Sequence, residues 1–241
     1  MISLIYGNRD YTRLIRPLPA YVKHDAFGIP VIEPEPIDIS NINNGKWLTN
    51  ITNATANARH RECKIVHCFS YDNTLWQYYN NPWRFLQRVG DYYAVSSMDF
   101  SMDEKMTAAQ VITCTFQNRW SGAFLQTNGK RTIPTVGWTL PEFDDITFCG
   151  LRDGGVFIIS TMSVRDNAHT LKTFLRGYLV MRERFPNTQI ICVGDFIPGM
   201  DHDICFVKYR ESFGSWDRHP GAFWQPSLLN WDGSVADLGG M

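Results

Sequence analysis

The feature that most constrains this chain begins at Cys63. From there short apolar stretches alternate with helical patterns, and several of those stretches end on an aspartate. CKIVHCFSYD reads as a strand closing at Asp72. NTLWQYYNNPWRFLQRV reads as helix interrupted at Asn81-Pro82, because an internal proline removes a donor and clashes with the preceding turn. YYAVSS is the next strand, running to Asp99. Ser101 and Glu104 have the spacing of a capping box, so a helix is expected to start there. Met106, Ala109, Thr113, Phe116, Trp120 and Ala123 recur at three- and four-residue spacing and carry it to Asn128-Gly129. RTIPTVGW, GGVFIIST, TQIICVGD and DICFVKY follow as strands, and Asn167 caps the helix AHTLKTFLRGYLVMRERF, with Leu171, Phe174, Leu175, Tyr178 and Leu179 on its inner face.

Strands separated by helices on short links imply parallel pairing, since each helix supplies the crossover. The expected fold is therefore α/β: a parallel β/α barrel-like, TIM-type single domain, closed or incomplete, with a doubly wound open sheet as the second choice. Within one domain spanning residues 1–241, residues 63–210 form the β/α core. Residues 1–62, broken by Pro17, Pro19, Pro30, Pro34 and Pro36 and rich in Asn and Thr, read as an irregular N-terminal layer. Residues 211–241 read as an irregular C-terminal cover.

Hydrophobic residues make up 44% of the 241 residues, enough for a sizeable core, and the 14% of aromatics suit both core filling and the stacking of sugars or bases. A net charge of −1 excludes a polycation drawn to nucleic acid by its bulk field, so a DNA contact would rest on local groups: Arg59, Arg61, Lys130 and Arg131. The six cysteines are scattered with no C-x-x-C pair, as free thiols are in a reducing compartment. His60, Cys63, His67 and Cys68 have some ligand-like spacing but lack a second half, and His67 reads as a core histidine, so neither metal nor cofactor is expected. The opening MISLIY turns polar after six residues and no apolar run reaches membrane length, so a cytoplasmic protein without a membrane partner is expected.

In parallel α/β architectures functional groups gather at the carboxyl ends of the strands. Those ends carry Asp72, Asp99 with Phe100, Trp138, Ser160 with Thr161, and Asp195 with Phe196. An aspartate after a strand also makes turns and caps helices; Asp99 is least explained that way, because Ser101 is available for the cap. Carboxylates beside aromatics suit two chemistries: stabilising an oxocarbenium-like sugar as a glycosidic bond breaks, or holding magnesium for phosphoryl transfer. The second wants more carboxylates and a lysine, which these strand ends lack. No nucleophile elbow, phosphate loop or dinucleotide fingerprint is present. Asn118 and Arg119 on the long helix read either as a solvated face or as groups reaching over the rim to a phosphate or an aspartate.

YDNTLWQYYNNPWRFL, SSMDFSM, QNRWSGAFLQTNGKRTIPTVGW, FIISTMS and FLRGYLVMRERFPNTQIICVGD together resemble the bacterial, plasmid and phage domain-of-unknown-function family numbered 4417, over about residues 66–196. SMDFS stands where that family has S-P-D-F-S, and AFLQ where it has A-Y-W-Q. The resemblance implies a compact α/β domain in a mobile-element or defence setting, without a reaction. In element order the chain is also similar to tRNA-guanine transglycosylases and their phage DNA-modifying relatives. That similarity implies a strand-end aspartate, Asp99 or Asp195, as nucleophile at C1′, with the other as acid/base; no zinc site of the tRNA enzymes is visible.

The expectation is a DNA glycosylase or transglycosylase acting on a flipped-out base of double-stranded DNA. Asp99, Asp195 and Asp72 would be catalytic, Asn118, Arg119, Gln126 and Ser160 would contact substrate, and Phe100, Trp138 and Phe196 would stack. A carbohydrate-active hydrolase, a non-catalytic phage or plasmid DNA-associated protein, and a two-metal nuclease stay open beside it.

Overall fold

A computed structural model describes residues 16–40, 47–162, 164 and 167–209. Its strands are β1 (Leu48–Asn50), β2 (Ile65–His67), β3 (Ala94–Ser96), β4 (Thr132–Ile133), β5 (Val156–Ser160), β6 (Gln189–Val193) and β7 (Cys205–Val207). Its α-helices are α1 (Asp72–Asn80), α2 (Pro82–Val89), α3 (Ala108–Thr127), the short α4 (Asp144–Thr147) and α5 (Ala168–Arg184). All strand pairs are parallel, in two sheets ordered β1-β2-β3-β4 and β5-β6-β7.

The two sheets meet just beyond β4. Pro134 has no N–H to continue the ladder, and beyond it Thr135 bridges Ile158 in parallel, with Ile158 N donating to Pro134 O and Val136 N to Ile158 O, both 3.0 Å. On the other side of that junction Ser97 and Thr135 exchange side-chain bonds. Thr135 N donates to Ser97 Oγ at 2.8 Å, and Thr135 Oγ1 donates to Ser97 O at 2.7 Å. Hydroxyls thus replace a backbone ladder where proline interrupts it.

The apolar side chains form three clusters, as sheets covered on both faces require. Val66, Cys68 and Val95 pack with Leu75, Tyr79, Phe85, Trp120 and Phe124 beneath α1, α2 and α3. Phe157, Ile159, Ile190 and Cys192 pack with Leu171, Phe174 and Tyr178 beneath α5. The third cluster draws on all seven strands: Leu48, Ile65, Ala94, Ile133, Ile158, Ile191 and Val207 among others.

Three expectations change. The Asn/Thr-rich stretch within residues 1–62 contains a strand, β1, which lies beside β2. The same layer carries Ile29, Val31 and Ile32 into the core, so close to α3 that a Cβ on Gly122 would lie 2.3 Å from Ile32. The long helix starts at Ala108, capped by Thr107 and Gln110 (Thr107 N to Gln110 Oε1, 2.8 Å), and Ser101 and Glu104 bond elsewhere. On α5, Leu171, Phe174 and Tyr178 are buried as expected, but Leu179 is exposed. The Asn81-Pro82 break and the Asn167 cap form as the sequence implies, Asn81 accepting from Arg84 N and Asn167 from Thr170 N. Residues 211–241, expected as an irregular cover, lie outside the described residues.

Candidate active site

The parallel pairing puts Asp72, five residues past β2, and Asp99, three past β3, at the carboxyl edge of neighbouring strands. Asp72 opens α1, where carboxylates suit the helix dipole, and its Oδ1 accepts from Ser101 N (3.3 Å) and Ser101 Oγ (3.1 Å). Ser101, expected to cap a helix, instead ties the loop after β3 to Asp72. Asp99 is half-buried. Burial and the negative charge of Asp72 raise its carboxyl to about 7, with the Arg119 guanidinium opposing. Nothing among the described residues donates a hydrogen bond to it, and Gly137, past β4, is the glycine whose Cβ position faces its Oδ1 at 3.9 Å.

The segment around Asp99 is held rigidly. Met98 N donates to Ser121 Oγ at 2.8 Å, and the Asn118 amide clasps the backbone of Phe100, accepting from its N at 2.7 Å and donating to its O at 3.3 Å. Farther along the same loop, Glu104 takes His169 Nε2 at 2.6 Å and Thr173 Oγ1 at 2.8 Å, reaching the first turns of α5. The loop therefore spans from α1 to α5 across the carboxyl edge.

Several expected contacts are spent internally. Asn118 is the Phe100 clasp. Arg119 is fully buried and gives its guanidinium to three carbonyls: Cys149 O (2.9 Å), Thr135 O (2.8 Å) and Thr147 O (2.8 Å). Burial lowers its pKa to about 10. Gln126 pairs with the backbone of Glu33 through Glu33 N to Oε1 (3.0 Å) and Nε2 to Glu33 O (2.8 Å). Phe100 is only 3% exposed, packed on Trp76 and Tyr79. Trp138 lies against Phe174 and fills the space a Cβ on Gly177 would need. Ser160 Oγ donates to Val193 O and accepts from Met162 N, both 3.1 Å. Phe196 stacks on His202 at 5.1 Å. His67 is buried in β2, where burial lowers its pKa to about 3 and keeps it neutral.

Asp195 leaves β6 on the other sheet and is exposed; its backbone, not its carboxylate, is clamped, by Thr161 Oγ1 at 2.9 Å in both directions. Arg59, Arg61, Lys130 and Arg131 precede β2 and β4 and so sit at the amino edge, opposite Asp72 and Asp99. There Arg61 pairs with Asp91 at 2.7 Å, Lys130 donates to Gly90 O, and Arg131 lies over the Tyr93 ring. The sequence reading missed two exposed rings flanking Asp72: Tyr71, 70% exposed, and Trp76, 40% exposed. The spacing from Asp72 to Trp76, one helical turn, was the available signal. Among the described residues, no group of three His, Cys, Asp or Glu could hold a metal ion, and no helix is long and apolar enough to cross a membrane.

Fold and site together define a mixed α/β domain with parallel strands and a coupled carboxyl pair at the strand ends. The chain belongs to the family described as Domain of unknown function (DUF4417), whose model matches residues 22–210. It is also similar to the Gene 1 protein of Mycobacterium phage D29, 28% identical over 165 residues that cover 66% of this chain and 60% of that protein. The Gene 1 protein of Mycobacterium phage L5 is 28% identical over 153 residues, covering 64% of this chain and 66% of that protein. The chain thus spans less than two thirds of either relative's length. No solved structure matches it significantly.

Proposed function

We propose that this protein cleaves or exchanges an N-glycosidic bond in DNA, with Asp99 and Asp72 as the working pair. One observation carries the reading: burial and the charge of Asp72 raise the Asp99 carboxyl to about 7, on adjacent parallel strand ends. A carboxyl raised in this way beside a second carboxyl group is what acid-assisted glycosidic cleavage uses. Asp99, protonated near neutral pH, gives its proton to the leaving nitrogen as the C1′–N bond breaks and the electron pair departs with the base. Asp72 steadies the sugar cation. Water then adds its oxygen to C1′, and its released proton passes to Asp72 and through solvent back to Asp99. Of the roles the sequence leaves open for Asp99, this takes the acid role, and of its two possible partners it takes Asp72.

The same reading treats the seven strands as an incomplete β/α barrel. It is supported by the apolar cluster drawn from all seven strands. A second reading, hydrolysis of an O-glycoside, is favoured by the position of Arg59, Arg61, Lys130 and Arg131 at the opposite edge, away from any phosphate beside Asp99.

The test is incubation of wild type, Asp99→Asn and Asp72→Asn with modified and unmodified phage DNA, with and without EDTA, and with O-glycosides. Free base and alkali-labile sites that persist in EDTA and vanish in Asp99→Asn are expected. Equal activity in Asp99→Asn would sink the proposal, and sugar release without base release would replace it with the second reading.

A further inference from the structure

The expected stacking rings do not face the acid pair: Phe100 is buried, while Trp138 and Phe196 pack on α5 and on His202. The exposed rings that flank Asp72 are Tyr71 and Trp76. Trp76 is braced from below, its ring centroid 4.9 Å from Phe100 and 5.6 Å from Tyr79, the latter edge-on. Phe100 in turn is fixed by the Asn118 clasp and directly follows Asp99. The indole is therefore tied through one residue to the backbone that carries the acid, with Trp76 40% exposed to solvent. Rigid aromatic surface costs little entropy to use in binding.

We propose that Trp76, flanked by Tyr71, is the platform on which the substrate's ring stacks beside Asp72 and Asp99, and that this ring is a nucleobase. The assignment rests on the glycosidic reading for its place in the reaction, but the stacking itself does not. The polar side chains near Asp99 are already engaged: Ser101 with Asp72, Asn118 with Phe100, Ser121 with Met98 and Ser97 with Thr135. Of the groups named here, a hydroxyl-rich pyranose would find only the Asp72 and Asp99 carboxyl oxygens to replace the water hydrogen bonds it surrenders. A flat base offers a π-face that stacks on an indole whatever its edge carries. A base that gains positive charge as it is protonated also binds an indole face more strongly than the neutral base does.

The experiment is ¹⁹F NMR of the full chain labelled with 5-fluorotryptophan, the Trp76 resonance being identified by its loss in Trp76→Phe. Wild type and Asp99→Asn are titrated with the four deoxynucleosides and, separately, with methyl pyranosides. A saturable shift of the Trp76 resonance with at least one deoxynucleoside is expected in both proteins, with roughly 5- to 100-fold weaker binding to Trp76→Ala by equilibrium dialysis. Trp76→Phe keeps most of the affinity, separating loss of stacking from loss of fold. No shift with any nucleoside overturns the platform, and a shift with pyranosides alone overturns the substrate class. A nucleoside shift alongside fully active Asp99→Asn leaves the platform standing and removes the acid–base reading.

Discussion

Asp99-Phe100 and Asp195-Phe196 are the same local spelling, an aspartate and a phenylalanine following a parallel strand, and the fold makes them different. After β3 the loop is pulled down by Asn118 and Ser121, which buries Phe100 and half-buries Asp99 beside the charge of Asp72. After β6 the strand exit is held through the Asp195 backbone by Thr161, so the carboxylate stands in solvent and Phe196 packs on His202. A carboxyl becomes a proton donor near neutral pH through what surrounds it, and a strand-end position alone does not provide that surrounding.

The contrast is broken most directly by comparing Asp99→Asn with Asp195→Asn. Removing a general acid costs about 10²- to 10⁴-fold in turnover, whereas the exposed Asp195→Asn is expected to stay within about threefold, read as base released per minute. Comparable losses in both would erase the distinction. The joint between the sheets comes next. Arg119→Met strips three buried carbonyls of their donor, and about 3 kcal/mol of stability is expected to go in urea unfolding.

Stability against pH sharpens the same comparison. Asp99 holds its proton up to about 7 when folded and only to near 3.8 when unfolded. The folded state therefore binds more protons between those values, and the contribution of this group is fully present below about 4 and lost as pH rises to about 7. Discounted for partial exposure, the loss is on the order of 2 kcal/mol, so Asp99→Asn should melt several degrees above wild type at pH 8 and level with it at pH 4. A flat difference across pH would show that Asp99 is not the perturbed group. The smallest effect lies in the N-terminal layer. Phe27 occupies a left-handed conformation, φ 62°, and is 60% exposed, and Phe27→Asn should stabilise by about 0.5–1 kcal/mol, read from the urea midpoint.

Much of the frame was legible. β2, β3, β4, β5, β6 and β7 all fall inside the stretches that read as strands, and Asn81-Pro82 and Asn167 act as the local chemistry of proline and asparagine dictates. β1 was not legible, because a three-residue strand in an Asn/Thr-rich stretch has no period to display. The start of α3 was misplaced because Ser101/Glu104 and Thr107/Gln110 have the same cap spacing, and only contacts with Asp72, His169 and Thr173 decide which pair is free to cap. Asp99 was singled out because no local task explained it. That Asn118, Arg119 and Gln126 each bond within the fold is not legible, because a sequence does not reveal that a polar side chain already has a partner.

By itself, then, the sequence determined the alternation of strand and helix, the parallel pairing and the edge at which Asp72, Asp99 and Asp195 lie, since these follow from periodicity and chain direction. Only the tertiary structure decided which two of the three act on one another, which rings are buried and which are exposed, and that Arg119 holds three buried carbonyls together. Those outcomes depend on desolvation and on through-space charge, and both are set by neighbours distant in the chain.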